Sequence, residues 1–257
     1  MFKFKFIINI INIIIIKMSN NINEYFDRIF IINLKKRNDR KENMIKKLEK
    51  ANITNYEFIE AIDGNDEPYY SLYHTRLTNG LFFENPNVFG VLFSVLKVLI
   101  WSKKKNYNKI LILEDDAIFH KDFSNVFNER IKKIPKWKLL YFGTSMKKWR
   151  LEQRCKIEKS KNFLRAEGTI TGGFGLGINS SIFEELIYYL RNTSSPWDIG
   201  PLKIINKKYG NEVIIFFPYL IICHTEDSNI REGVPISNYA IERGWDLELY
   251  DTIECQI

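Results

Sequence analysis

The chain has 257 residues, 45% of them apolar, and its 38 lysines and arginines exceed its 31 aspartates and glutamates for a net charge of +7. That length and apolar content support a sizeable core in one large α/β domain or two small ones, and the modest positive excess suits an anionic ligand such as a nucleotide without amounting to a nucleic-acid-binding signature. The three cysteines, Cys155, Cys223 and Cys255, lie far apart without metal-ligand spacing, which excludes a disulfide framework and a zinc site.

Residues 1–24 form an N-terminal extension, and residues 25–257 are expected to form one catalytic domain. Phe4 to Ile16 is mostly apolar but interrupted by Lys5, Asn9 and Asn12. It falls short of the roughly 20 apolar residues a membrane span needs. Two readings stay open. The stretch is a signal or anchor core that associates the protein with a membrane, or translation starts at Met18 and the prefix is dispensable.

Arg28–Leu34 reads as a first buried strand, followed by a polar cluster containing Asn33, Lys35, Lys36, Arg37 and Arg40. A helix is expected from Asp39 to Ala51, with Asp39 and Glu42 spaced as a capping box. Tyr56–Ala61 is a second strand closed by the Asp63-Gly64 turn, completing a β-α-β opening. Glu67 to Pro86 reads as irregular. Val88–Lys103 has helical periodicity, with Val91, Val95, Val98 and Trp101 on its candidate buried face. Asn33 is suited to a base edge or ribose and Arg37 and Arg40 to phosphates. Lys35 and Lys36 equally suit a solvated helix start.

Ile110–Leu113 is an uninterrupted apolar run, as in a strand buried on both faces of a parallel sheet. It stops at Glu114, Asp115 and Asp116. Three adjacent carboxylates repel one another and lose hydration at the end of a buried strand. A divalent cation with oxygen preference, Mg²⁺ or Mn²⁺, would relieve both costs. Ligands of open α/β sheets gather beyond the carboxyl ends of the strands. An acidic turn capping the next segment is the plainer reading.

Further on, Ser124–Ile134 is expected to be helical, Lys138–Gly143 a strand, and Thr144–Glu167 a long basic surface loop. Gly168–Asn179 is rich in glycine but lacks phosphate-loop and dinucleotide spacing. It reads as a strand approached closely by ligand or by another backbone. Ser180–Arg191 is a helix, and Pro196-Trp197-Asp198 is expected to open another reaching about Tyr209. There Asp198 is either a helix cap or a base beside a sugar-binding aromatic face. Glu212–Cys223 is a strand interrupted at Pro218. His224 follows it, again at a strand end, where a neutral imidazole would join the acidic cluster on a metal or serve a structural role.

These pieces, in this order, resemble glycosyltransferase family 25, which includes bacterial lipopolysaccharide sugar transferases and collagen β-galactosyltransferases. The resemblance rests on Ile29–Arg40, Glu60–Gly64, Gly90–Ser94, Leu111–Phe119, Gly168-Thr169, Pro196–Asp198 and Ser228–Ile230. It departs from the family at Val95, where His is usual, at Asn229, where Asp is usual, and at Phe174, where Tyr is frequent. The resemblance implies a GT-A glycosyltransferase fold with a Rossmann-like, mostly parallel central sheet flanked by helices. It also implies a UDP-sugar donor, Mn²⁺ or Mg²⁺, and inversion at the anomeric carbon during transfer of a galactose- or glucose-type hexose. The acceptor would be a hydroxyl of a glycan or of a collagen-like hydroxylysine. By the motif match Asp116 is the first metal ligand, with His224 beside it. Asn33, Leu34, Arg37, Arg40, Ser94 and Glu114 fall on the nucleotide side, and Asp115 and Asp198 are rival candidates for the base. Two other classes stand against this. One is a non-catalytic sugar-binding or scaffold protein that keeps the fold. The other is a metal-dependent nuclease using the acidic run and the basic stretch Met146–Lys161, which needs carboxylates for a second metal that the sequence does not reveal.

Overall fold

A computed structural model describes residues 21–79, 85–158, 163–166, 168–193, 195–227 and 233–252. The apolar stretch at 4–16, Met18, Cys255 and the Ser228–Ile230 motif lie outside them. In chain order the elements are α1 (Ile22–Tyr25), β1 (Arg28–Asn33), α2 (Asn38–Lys50), β2 (Tyr56–Glu60), α3 (Tyr69–Thr78), α4 (Pro86–Lys104), β3 (Lys109–Glu114), β4 (Ala117–Phe119), α5 (Phe123–Arg130) and β5 (Leu139–Tyr141). There follow α6 (Lys148–Arg154), β6 (Cys155–Glu158), β7 (Phe163–Ala166), β8 (Gly175–Asn179), α7 (Phe183–Asn192), α8 (Pro201–Lys208), β9 (Val213–Phe216), β10 (Ile221–Cys223) and α9 (Ile236–Arg243).

Eight strands form the central sheet in the order β2-β1-β3-β8-β5-β9-β7-β6. β1 runs parallel to both β2 and β3, the expected Rossmann-like half, and β5 runs parallel to β9. β8 lies antiparallel between β3 and β5, and β7 and β6 extend the sheet antiparallel beyond β9. Helices flank the sheet, the α/β GT-A arrangement that the resemblance implies. Ile110 to Leu113 have no exposed surface, as a strand covered on both faces requires. α4 starts where the Asn85 side chain accepts the Val88 N–H at 3.1 Å and Pro86 occupies the first turn. It ends on Lys103 and Lys104, which suit the negative end of the helix. Long and apolar enough to cross a membrane, this helix instead buries Phe89, Leu92, Val95, Val98 and Leu99 in the core.

Several local expectations need correction. The capping box does not form at α2: Arg37 precedes the helix without a side-chain cap, and Asp39 pairs with Arg37 instead. The segment after Pro68 is helical as α3, although its mean hydropathy and weak periodicity gave little signal. The stretch 144–167 is not a surface loop. It contains α6 and the two strands that complete the sheet edge, where short pieces held by tertiary pairing override local pattern. The strand expected over Glu212–Cys223 divides around Pro218: β9 joins the central sheet, while β10 pairs with β4 in a separate ribbon. Pro196–Asp198 form a turn, and the helix begins only at Pro201.

Candidate active site

The carboxyl ends of β1 and β3 lie side by side because their register pairs Ile32 with Glu114. Asn33, one residue further, therefore reaches the acidic run and donates Nδ2 to Asp115 Oδ2 at 2.8 Å. Arg40, from the first turns of α2, donates Nη1 to Asp115 Oδ1 at 2.7 Å. Both Asp115 oxygens are thus engaged, and its side chain is only 9% exposed. Asn33 also donates to the Arg37 carbonyl at 3.1 Å, tying the first turn after β1 to the same point.

Asp116 is placed differently. Its Oδ1 is buried without a hydrogen-bond partner among the described residues, and such a group costs about 1–3 kcal/mol or more when charged. Burial, and after it the neighbouring Asp115 charge, raise its pKa to about 6 against the opposing pull of Arg40 and Lys47. Lys47 is itself buried, on the core face of α2 between Met44 and Leu48, and donates Nζ to the Ala117 carbonyl at 3.0 Å. The β4–β10 ribbon pairs Ala117 with Cys223. It brings the His224 amide to the Asp116 carbonyl at 2.9 Å. Burial lowers the His224 pKa, so its imidazole is neutral at pH 7, the form that ligates metals.

A buried carboxylate oxygen without a hydrogen-bond partner, on a cavity that His224 also lines, suits a divalent cation. No group of three or more His, Cys, Asp or Glu side chains gathers for a protein-only cage among the described residues. Mg²⁺-type sites commonly use one or two carboxylates and take their remaining oxygens from phosphates and water, so the donor set is compatible with a metal shared with a diphosphate.

Two cavities meet at this edge, both lined by Glu114, Asp116, Gly173 and Trp197. The narrower lies over the ends of β1 and β2 and is lined by Leu34, Arg40, Asp63 and Ser94. Its wall explains the Gly90–Ser94 motif. A Cβ on Gly90 would stand 2.4 Å from the Ile62 carbonyl oxygen, and one on Gly64 would stand 1.7 Å from that of Pro86. Ser94, fully buried, accepts the Ile62 N–H and donates to the Gly90 carbonyl, each at 2.8 Å. Expected on the nucleotide, its hydroxyl is spent on holding the 61–64 loop against α4.

The wider cavity, about 400 Å³, is lined by Asp198, Thr171, Ser145, His224 and a set of cations. Asp198 is no helix cap; its Oδ2 accepts the Gly172 N–H at 3.3 Å. Gly172 has φ +99°, a conformation that only glycine adopts without strain, which lets its amide turn toward that carboxylate. Trp197 is 5% exposed and lies flush on Gly173, where a Cβ would come within 2.2 Å of the indole. The glycine stretch therefore serves close approach by an aromatic side chain.

Arg37 and Arg40 are brought together as expected, and both also meet Asp227: Arg37 pairs with its carboxylate and Arg40 donates to its carbonyl. Lys47, Asp227 and Arg243 escaped the sequence reading. For Lys47 a signal existed, since a lysine between two apolar positions on one helix face is anomalous; Asp227 and Arg243 arrive from distant segments with no local mark.

A family description, glycosyltransferase family 25 (LPS biosynthesis protein), matches residues 26–86 and 97–199. The chain is 33% identical over 127 residues, 46% of its length, to a protein of Acanthamoeba polyphaga mimivirus provisionally named a glycosyltransferase. It is 31% identical over 140 residues to procollagen galactosyltransferase 2 of Mus musculus, and 27% identical over 162 residues, 54% of the chain, to a glycosyltransferase 25 family member of Drosophila melanogaster. The matched segments make up 38%, 21% and 24% of those proteins, so the chain spans well under half of each relative. The family match includes Asn33, Arg37, Arg40, Glu114, Asp115, Asp116 and Asp198, and stops before His224.

Proposed function

As the chain belongs to glycosyltransferase family 25, we propose that it transfers a hexose from a UDP-sugar to an acceptor hydroxyl, with inversion and with a divalent cation on Asp116. The observation that carries this reading is the unpartnered Asp116 Oδ1 where the two cavities meet. Asp116 and His224 would hold Mn²⁺ or Mg²⁺, which supplies charge stabilisation to a leaving nucleoside diphosphate.

The protein's own groups divide the remaining work. Leu34 and Glu114 line the narrower cavity and suit the base and ribose, with Asn33 holding Asp115 behind them. Arg37 and Arg40 suit the phosphates, exchanging Asp227 for phosphate oxygens. Asp198 is the better of the two base candidates. A general base needs reach to the acceptor hydroxyl and a lone pair to receive its proton. Asp198 lines the wider cavity, whereas both oxygens of Asp115 are committed to Asn33 and Arg40. Asp198 takes the proton from the acceptor hydroxyl, whose oxygen then attacks the anomeric carbon as the bond to the diphosphate oxygen breaks. Attack from the face opposite the diphosphate inverts that carbon. Trp197 offers an apolar wall to a sugar ring.

The acceptor is a glycan or a collagen-like hydroxylysine. The test is a donor screen on purified protein with Mn²⁺ and a panel of nucleotide sugars, reading free nucleotide. Release from UDP-hexoses alone supports the reading; no release from any donor with or without candidate acceptors overturns it.

A further inference from the structure

The wider cavity is lined by charges of both signs, Glu114, Asp116 and Asp198 together with Lys147, Arg150 and Arg243. The proposed reaction uses the carboxylates and leaves the three cations without a role.

Arg243 is the best fixed of them. Its side chain is 12% exposed, its guanidinium lies over the Tyr239 ring at 3.2 Å from the centroid, and its Nε donates to the Ser145 carbonyl at 3.0 Å. A continuous set of contacts joins that point to the candidate base. Ser145 donates its amide to the Thr171 carbonyl at 2.9 Å and its hydroxyl to Thr171 Oγ1 at 3.2 Å. Thr171 precedes Gly172, whose amide donates to Asp198. Arg243 and Asp198 thus stand on one wall, separated by a rigid run of backbone. Glu242, which does not line the cavity, binds Arg243 Nη1 at 3.0 Å and Lys147 Nζ at 3.1 Å. One carboxylate therefore serves two cations. Arg150 is exposed, rests over Trp149 and makes no ion pair among the described residues.

Resting on the transferase reading, we propose that this wall is an acceptor subsite for a glycan bearing an anionic group, a carboxylate or a phosphate, close to the hydroxyl that is glycosylated. Arg243 and Arg150 take the anion through charge-assisted hydrogen bonds, and Lys147 adds charge. Asp198 meanwhile receives the neighbouring hydroxyl. The same wall repels an ammonium group, so a hydroxylysine side chain is the poorer fit for this cavity.

Calorimetry on the full chain, with UDP and Mn²⁺ present, tests this independently of turnover. A matched pair of disaccharides is used, one ending in glucose and one in glucuronic acid, with a glucose-6-phosphate-terminated form and a hydroxylysine peptide as further arms. The glucuronyl or the phosphorylated ligand should bind about tenfold tighter than the neutral one. Which of the two anionic arms shows the larger preference identifies the group recognised. The preference should weaken in 0.5 M salt and fall toward one in Arg150→Gln, a substitution at an exposed position. Arg243→Lys, which keeps the charge but loses the fork, should retain part of it. Equal binding of neutral and anionic forms, no binding of either, or tightest binding of the peptide would overturn the proposal. Donor cleavage is read in parallel. Its absence counts against transferase activity, while its presence with no anionic preference counts against the subsite alone.

Discussion

The His224 amide donates to the Asp116 carbonyl at 2.9 Å, so two residues 108 positions apart in the chain meet where β4 begins and β10 ends. The pairing of β4 with β10 makes this happen, and it joins the acidic run to a segment beyond the family match. The edge it creates carries a charge that burial disfavours, a cost that a bound cation would offset.

That cost is measurable through Asp116→Asn. The folded carboxyl titrates near 6 because burial raises it, against about 4 in an unfolded chain. Between those values the folded state holds the proton more tightly, so this group's contribution to stability falls as pH rises from 4 to 6 and stays lost above. Without divalent cation at pH 7.5, the variant should therefore be more stable than the unchanged protein by about 2 kcal/mol. The gain should vanish below pH 4. Urea denaturation at both pH values checks this, and a variant less stable at pH 7.5 contradicts it.

Asp115→Asn should behave in the opposite way. It leaves Arg40 without its buried partner and turns one acceptor of the Asn33 amide into a donor or a weaker acceptor. Breaking such a pair costs about 3–5 kcal/mol. Unchanged stability would show that Arg40 relaxes freely to Asp227 or to solvent.

Asp198→Asn separates proton transfer from binding. Turnover should drop by about 10²–10⁴, while UDP affinity in Mn²⁺ remains within twofold, roughly the scatter of a distant neutral change. Loss of UDP binding together with turnover would move Asp198 to the donor side.

Gly173→Ala tests the seat of Trp197. With a Cβ only 2.2 Å from the indole, the ring must leave its place on the backbone, at a cost of about 1–3 kcal/mol. Tryptophan fluorescence and thermal unfolding should both shift; an unaltered melting temperature would mean the neighbouring loop yields.

Much of this arrangement was legible in the chain. The uniform apolar run Ile110–Leu113 announced a strand covered on both faces, and the abrupt change at Glu114 marked where it leaves the core. Arg37, Arg40 and Asn33 were readable because they follow a strand of the same kind. What could not be read came from long-range pairing. The strands within 144–167 are only four residues each, and their place beside β9 and each other makes them strands. Ser94 stands on the nucleotide side by the resemblance alone, and the close packing that its buried hydroxyl and Gly90 make with the 61–64 loop had no local mark. Trp197 and Asp198 both line the wider cavity, but their turn was mistaken for a helix start because Pro-x-Asp carries the same local signature as a cap.

The central claim is that Asp116 holds a cation shared with the donor diphosphate. Titration of UDP into the unchanged protein and into Asp116→Ala, each with Mn²⁺ and with chelator, addresses it most directly. The unchanged protein should bind UDP at least about tenfold tighter with Mn²⁺ than without, a coupling of about 1.4 kcal/mol. Asp116→Ala should bind UDP equally under both conditions. Metal-independent binding to the unchanged protein, or full metal coupling in folded Asp116→Ala, would contradict the assignment.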